Sequence, residues 1–130
     1  MLPRRGRTLV FGLPGNPVST FVAFENFVRP ALGRLCGFRS PELPRVRGEL
    51  QGDMRQTPGR TAYLPACSRY ADGRWAVTPL PSKGSADIIG FSRADSLVIF
   101  PSELSQLRPG DSVEALLLPD HHLRRATEGE

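Results

Sequence analysis

TLVFGLPGNPVS, residues 8–19, separates two different hydrophobic patterns in this chain. The first four residues are apolar or β-branched, and they predict a short buried strand that stops at Gly12. Beyond the loop the apolar residues recur every three or four positions, which predicts a helix over residues 17–36. Asn16 is a good N-cap, and Pro17 suits the first helical position because its missing N–H is not needed there. This stretch therefore predicts a strand, a stiff loop and a helix.

The end of this helix also has a signal in the sequence. We expect the helix to end near Gly37, because glycine favours the left-handed backbone that follows many helix C-termini. Pro30 lies inside the helical pattern and removes a backbone donor, so we expect a kink or a break near Phe27. Residues 39–44, RSPELP, form a Pro-rich connector, and we place a domain boundary there.

After the connector the hydrophobic pattern changes from helical to alternating, which is typical of strands. Asp72-Gly73 supplies the positive φ values of a tight hairpin turn, and residues 108–111, RPGD, predict a second turn. This part of the chain is therefore predicted to be a small all-β module, barrel-like if its edges close. The strands are expected at residues 46–50, 61–70, 74–80, 96–100 and 112–118.

The predicted elements also indicate how the chain is divided. Residues 8–37 contain a strand and a helix but no partner strands, and their apolar face needs a cover. We therefore expect an α+β chain in which residues 1–40 are the C-terminal end of an α/β domain. Residues 41–119 would form the barrel-like domain, and residues 120–130 a disordered tail. Two explanations for the missing partner strands remain open. The chain is either a longer protein without its N-terminal portion or the product of a truncated gene.

Composition excludes several classes of function. The chain has 130 residues and a net charge of +4, but its arginines are scattered without interleaved aromatic residues, which disfavours a nucleic-acid partner. The sequence contains no run of 18 apolar residues that would indicate a membrane span, and no signal peptide is evident. We therefore expect a cytoplasmic protein. Cys36 and Cys67 are 31 residues apart and predict separate, reduced, mostly buried thiols rather than a zinc site. His121 and His122 are expected to be solvated tail residues.

The loop also carries a resemblance to a known family. GLPGNPVS at residues 12–19, followed by FVRPAL in the helix, resembles the molybdopterin molybdenumtransferases of the MoeA and gephyrin E-domain type. Further motifs fall in the order expected of that family's C-terminal region: TPGR at 57–60, KGS at 83–85, SRADSLVIFP at 92–101 and GDSVE at 110–114. The resemblance covers residues 9–118, and it implies that the predicted α/β remnant belongs to a molybdopterin-binding domain.

The resemblance implies a set of site residues. In that family the loop lines a pocket for molybdate and the pterin phosphate, and the helix start favours an anion through its N–H groups and dipole. An arginine fork also matches a tetrahedral oxyanion. The residues carried over by motif are Pro14, Gly15, Asn16, Pro17, Ser19, Arg60 and Ser85. The plainer alternative for the loop residues is a turn that is stiff for packing alone; for Arg60 it is an exposed turn arginine, and for Ser85 a simple Gly-Ser turn. Ser92, Arg93 and Asp95 are expected to be structural.

The resemblance also implies a reaction, the insertion of molybdenum from molybdate into adenylylated molybdopterin with magnesium-dependent release of AMP. The sequence offers no evident nucleophile or general base, which suits a reaction that depends on positioning and electrostatics. Mg²⁺ is the expected cofactor, with its ligands outside this chain, and a homodimer is expected for the full-length form. A non-catalytic binding or scaffold fragment that depends on further domains is the alternative.

Overall fold

The computed structural model describes residues 8–83 and 87–119. The helical elements in these ranges are α1 (Pro17–Ala23), a π-helical turn (Phe24–Val28, the π turn), α2 (Arg29–Leu35) and α3 (Ile88–Ser92). The strands are β1 (Arg45–Leu50), β2 (Met54–Arg55), β3 (Ala62–Ala71), β4 (Arg74–Pro79), β5 (Ser96–Phe100), β6 (Gln106–Leu107) and β7 (Ser112–Leu117). The five strands predicted from alternation are confirmed, with ends that differ by one residue at most.

Five strands close a barrel in the order β1-β4-β3-β5-β7, and β7 pairs back onto β1. Only β1 and β4 run parallel within it; the other pairs are antiparallel. The tight turn between β3 and β4 has φ of 53° at Asp72 and 78° at Gly73, as predicted. β2 and β6 form a separate two-stranded ladder that the pattern did not predict, because two residues are too few to show a period.

Alternation along β5 separates two hydrophobic clusters. Val98 and Phe100 belong to the barrel interior, whereas Leu97 and Ile99 belong to a cluster on the outer face. The interior cluster contains Leu50, Met54, Ala66, Val77, Val98, Phe100, Leu107, Val113 and Ala115. The outer cluster contains Ala94, Leu97, Leu116 and Leu118, with Phe21, Val22, Leu43, Tyr63, Leu80, Phe91 and Ile99 packed against it. The outer face of the barrel therefore covers part of the apolar side of α1.

The helix predicted over residues 17–36 is present, but the π turn interrupts it. At this turn the N–H of Arg29 donates to the carbonyl of Phe24, five residues earlier. Pro30 has no N–H, and in a regular α-helix its ring would collide with the carbonyl four residues before it; the wider turn relieves both problems. The break expected near Phe27 is confirmed in this form.

The helix ends as the sequence predicts. Gly37 has a φ of 85°, and the N–H of Phe38 donates to the carbonyl of Gly33 at 2.9 Å. The N–H of Gly37 donates to Arg34 at 3.0 Å, which completes a Schellman motif. This motif turns the chain from α2 towards the connector and β1.

The strand predicted at residues 8–11 is wrong for the described structure. These residues have no assigned secondary structure and are exposed, Val10 to 87%. A strand needs a free edge to pair with, and the closed barrel offers none. The prediction of buried thiols is also wrong, since Cys36 is exposed and Cys67 is partly exposed, although neither forms a disulfide, as expected. The predicted tail at 120–130 lies outside the described residues.

A buried polar cluster joins β3 to β5. The N–H of Ser68 donates to Oδ1 of Asp95 at 2.8 Å, and the hydroxyls of Ser68 and Ser96 lie 2.7 Å apart. The Ser96 hydroxyl lies 3.0 Å from the carbonyl of Ala66, to which it can donate. All these groups are almost completely buried, so each hydrogen bond acts in a medium of low dielectric constant. The structural role expected for Asp95 is thereby explained.

Asp95→Ala should lower the free energy of unfolding by about 1–3 kcal/mol, because the buried N–H of Ser68 loses its acceptor. Asp95→Asn keeps an acceptor oxygen at that position and should cost less. Urea denaturation followed by circular dichroism measures both values. Equal losses in the two variants, or no loss in either, would contradict this role of the carboxylate.

Gly48→Ala should lower the free energy of unfolding by about 1–3 kcal/mol through overpacking. A Cβ at Gly48 would lie 2.8 Å from Cγ2 of Val77 and 2.9 Å from the carbonyl oxygen of Trp75, which is backbone and cannot yield easily. Gly12→Ala is the control, because nothing lies within 4 Å of its Cβ position. The same urea titration compares them, and equal stability of the two variants would argue against the close approach of β1 to β4.

Candidate functional site

An open cleft of about 670 Å³ lies between the helical segment and the start of β3. It brings together residues from the loop before α1, from α1, from the π turn and from the segment that enters β3. Its lining comprises Pro14, Val18, Ser19, Val22, Ala23, Asn26, Phe27, Arg60, Thr61, Ala62, Tyr63, Leu64, Ser82 and Phe91.

Three of the residues predicted from the sequence line this cleft together, namely Pro14, Ser19 and Arg60. Pro17 lines a smaller apolar pocket of about 170 Å³ between α1 and α3. Ser85 lies outside the described residues, so its predicted role stays a prediction.

Gly15 and Asn16 line neither pocket, and Asn16 has the capping role that its residue type suggested. Its Oδ1 accepts from the N–H of Val18 at 3.2 Å and from that of Ser19 at 3.4 Å. These are two of the N–H groups expected to face an oxyanion, and here they are engaged by the cap. The hydroxyl of Thr20 donates to the carbonyl of Pro14, which ties the loop to the first turn of α1.

Arg60 follows a loop that is hydrogen-bonded to residues 101–102, directly after β5. The N–H of Gly59 donates to Ser102 at 2.9 Å, and Nε2 of Gln56 donates to the carbonyls of Arg60 and Pro101 at 3.4 Å and 2.8 Å. The guanidinium of Arg60 forms no ion pair with a carboxylate in the part of the chain that the structure describes. Its backbone is therefore held in place while its charge remains available.

The electrostatics of the cleft favour an anion. Arg60 is charged, and none of the described residues that line the cleft is acidic. The rings of Phe27, Tyr63 and Phe91 supply apolar surface beside it. The described lining holds no histidine or cysteine, so this surface is suited to holding a ligand rather than to acid–base or thiolate chemistry.

The cleft is also lined by polar residues that were not predicted as site residues from the sequence, among them Asn26, Tyr63 and Ser82. A signal for Asn26 exists in the sequence, because it lies seven positions after Ser19 and residues at that spacing share one face of a helix. Tyr63 and Ser82 have no comparable signal, since their position depends on how the barrel packs against α1.

The unpredicted helix α3 brings Phe91 to the cleft. Asp87 caps this helix, with Oδ2 accepting from the N–H of Lys83 at 3.0 Å and Oδ1 accepting from that of Gly90 at 2.8 Å. The hydrogen bond from Lys83, followed by that from Gly90, holds the pKa of Asp87 below its ordinary value. The cap is thus an ionised carboxylate at neutral pH.

No group of three His, Cys, Asp or Glu side chains that could hold a metal ion occurs in residues 8–83 and 87–119. The described lining of the cleft has no carboxylate to offer Mg²⁺, so it does not fit that ion. Within the same ranges, no helix combines the length and the apolar character needed to cross a bilayer.

Comparisons with known proteins agree on one family. Residues 47–118 match the family model of the MoeA C-terminal region (domain IV). Gephyrin from Dictyostelium discoideum is 32% identical over 119 residues, which cover 85% of this chain and 17% of that protein. A molybdopterin molybdenumtransferase from Staphylococcus aureus strain Mu50 is 26% identical over 108 residues, covering 83% of this chain and 26% of that protein.

Solved structures give the same result. The molybdopterin biosynthesis MoeA protein from Pyrococcus horikoshii has a TM-score of 0.63 at 27% identity, covering 80% of this chain and 26% of that one. A molybdenum cofactor biosynthesis protein from Pyrococcus furiosus has a TM-score of 0.62 at 29% identity, covering 80% of this chain and 36% of that one. The chain spans only 17% and 26% of the length of the two curated relatives described above. By its barrel and its sequence, the chain belongs to the molybdopterin molybdenumtransferase family of the MoeA and gephyrin type, in its C-terminal region.

Proposed function

We propose that this chain is the C-terminal portion of a molybdopterin molybdenumtransferase, which inserts molybdenum from molybdate into adenylylated molybdopterin. The observation that carries the proposal is that Ser19 and Arg60, which come from different parts of the chain, line one cleft. None of the described residues that line this cleft is acidic. Relatives whose names state this activity support it. Because the chain spans a minor part of those relatives, the whole reaction belongs to the proposal.

In this proposal the cleft holds molybdate. Molybdate is a tetrahedral dianion, and the fork of Arg60 offers two N–H groups to two of its oxygens. The Ser19 hydroxyl donates a further hydrogen bond, and Ser85 is proposed as another contact. Apolar lining lowers the local dielectric constant, which strengthens the attraction.

The remaining predicted residues would act on the shape of the cleft. Pro14, Gly15, Asn16 and Pro17 restrict the loop, and the cap of Asn16 fixes where α1 begins. A wall that is rigid before binding loses little conformational entropy when the ligand arrives. The chemistry, exchange of molybdate oxygens for the dithiolene sulfurs coupled to hydrolysis of the phosphoanhydride, would then depend on positioning.

The same proposal assigns residues 1–40 to the end of a molybdopterin-binding α/β domain, residues 41–119 to the barrel domain and residues 120–130 to a tail. This division is supported by apolar side chains of residues 1–40 that do not contact the barrel and remain exposed. Among them are Val10 at 87% and Leu35 at 72% exposure. A covering sheet would bury them. Mg²⁺ ligands outside this chain, a homodimer that completes the cleft and a cytoplasmic setting are further parts of the proposal.

Arg60→Ala should weaken molybdate binding by about tenfold to a hundredfold, because a charge-assisted hydrogen bond contributes about 1.5–3 kcal/mol. Isothermal titration calorimetry of the 130-residue chain with molybdate measures this. Arg69→Ala is the matched control, since Arg69 is an exposed arginine of β3 that is absent from the cleft lining.

Wild-type affinity in Arg60→Ala, or equal losses in both arginine variants, would contradict the assignment of Arg60. A wild-type chain that is folded by circular dichroism and binds no molybdate would contradict a site preformed in this chain. Arg60→Lys should bind with intermediate affinity, because lysine keeps the charge but not the two-pronged geometry.

A further inference from the structure

Asn26 lies in the cleft with its side-chain orientation fixed. Its Nδ2 donates to the carbonyl of Val22 at 2.9 Å, and a carbonyl can only accept, so this contact identifies the nitrogen. The other end of the amide, Oδ1, receives no hydrogen bond from a residue in the described ranges. The side chain therefore offers the cleft one acceptor oxygen.

Asn26 lies within the π turn, seven positions after Ser19. Side chains at that spacing share one face of a helix, so both can line the cleft. Phe27, the neighbour of Asn26, also lines the cleft. A regular α-helix through Pro30 would lose a hydrogen bond and gain a steric clash, and the π turn avoids both.

An ion pair between a buried Glu25 and a partly exposed Arg29 spans the same turn. Glu25 is only 4% exposed, and Arg29 grips its carboxylate through two nitrogens, with Nη2 at 3.1 Å from Oε1. The Arg29 guanidinium also lies 5.8 Å from the centre of the Phe24 ring. A charge pair with two hydrogen bonds has a restricted geometry, so it limits rotation of the turn that carries Asn26.

The chemistry of Oδ1 selects its partner. An amide oxygen carries partial negative charge and accepts hydrogen bonds, so it does not attract an oxyanion. It suits the N–H of an uncharged heterocycle. The aromatic side chains of Phe27, Tyr63 and Phe91, which also line the cleft, provide apolar surface for a flat ring.

We propose that Asn26 is a specificity-determining residue that accepts a hydrogen bond from an N–H of the pterin ring, while Arg60 binds the oxyanion. This inference rests on the proposed function, since it assumes that a pterin enters the cleft. It assigns the two components of the substrate to different polar side chains. Loss of Asn26 should therefore affect one ligand and not the other.

The test is calorimetric titration of the full chain with three separate ligands: molybdate, adenylylated molybdopterin and AMP. Asn26→Leu keeps a similar volume but removes the acceptor. It should weaken binding of adenylylated molybdopterin about fivefold, the scale of one neutral hydrogen bond, and leave the affinities for molybdate and AMP within twofold. Gln51→Leu is the matched control, because Gln51 is exposed outside the cleft and its amide also donates to a backbone carbonyl, that of Glu49.

Unchanged affinity for adenylylated molybdopterin in Asn26→Leu overturns the assignment of Asn26, while the Arg60 measurement stands independently. A parallel loss of molybdate affinity also overturns it, because that outcome reports a changed cleft shape. Loss of AMP affinity in Asn26→Leu also overturns it, because that outcome would assign Asn26 to the adenine ring rather than to the pterin ring. If Asn26→Leu does not fold, Asn26→Asp provides the test. The new charge repels both anionic ligands, but an acceptor oxygen remains for the pterin N–H, so adenylylated molybdopterin should lose less affinity than molybdate does, and the reverse pattern overturns the proposal.

Discussion

Pairing of β1 with β7 closes the barrel, and the position of every other feature depends on that closure. The register runs from Arg45 opposite Leu116 to Glu49 opposite Ser112, while the other edge of β1 pairs with β4. With no edge left open, the outer face of β5 has a fixed set of side chains on which α1 packs through Phe21 and Val22. The cleft is the space that remains between that helix and the start of β3. Its geometry therefore follows from barrel closure and from one helix contact.

A second constraint shapes the side of the cleft that is formed by α1 and the π turn, here called the helical wall. Pro30 disrupts a regular helix, and the π turn at this point carries one buried acidic side chain and two residues that line the cleft. The first turn of α1 is fixed differently, by the side chain of Asn16. Both ends of this wall thus have a definite geometry before any ligand binds, which reduces the entropy lost on binding.

The features that could be predicted from the sequence are those set by local chemistry. Alternating side chains predicted β1 and β7, the Asp72-Gly73 pair predicted the hairpin, and Asn16 predicted the start of α1. The strand at residues 8–11 failed because strand formation depends on a partner, which no residue pattern within the segment supplies. The grouping of Ser19 with Arg60 came from the family resemblance, whereas Tyr63 and Ser82 lie beside them through packing that no local pattern encodes.

The most direct measurement is a titration of ¹⁵N-labelled chain with molybdate, followed by NMR chemical shifts of the backbone amides and the arginine side chains. If molybdate binds in the cleft, saturable shifts are expected at Ser19, Arg60 and Thr61, which line it. Shifts confined to the surface groove of about 280 Å³ that is lined by Arg47, Arg74 and Trp75 would contradict molybdate binding in the cleft. The absence of any saturable shift would contradict it as well.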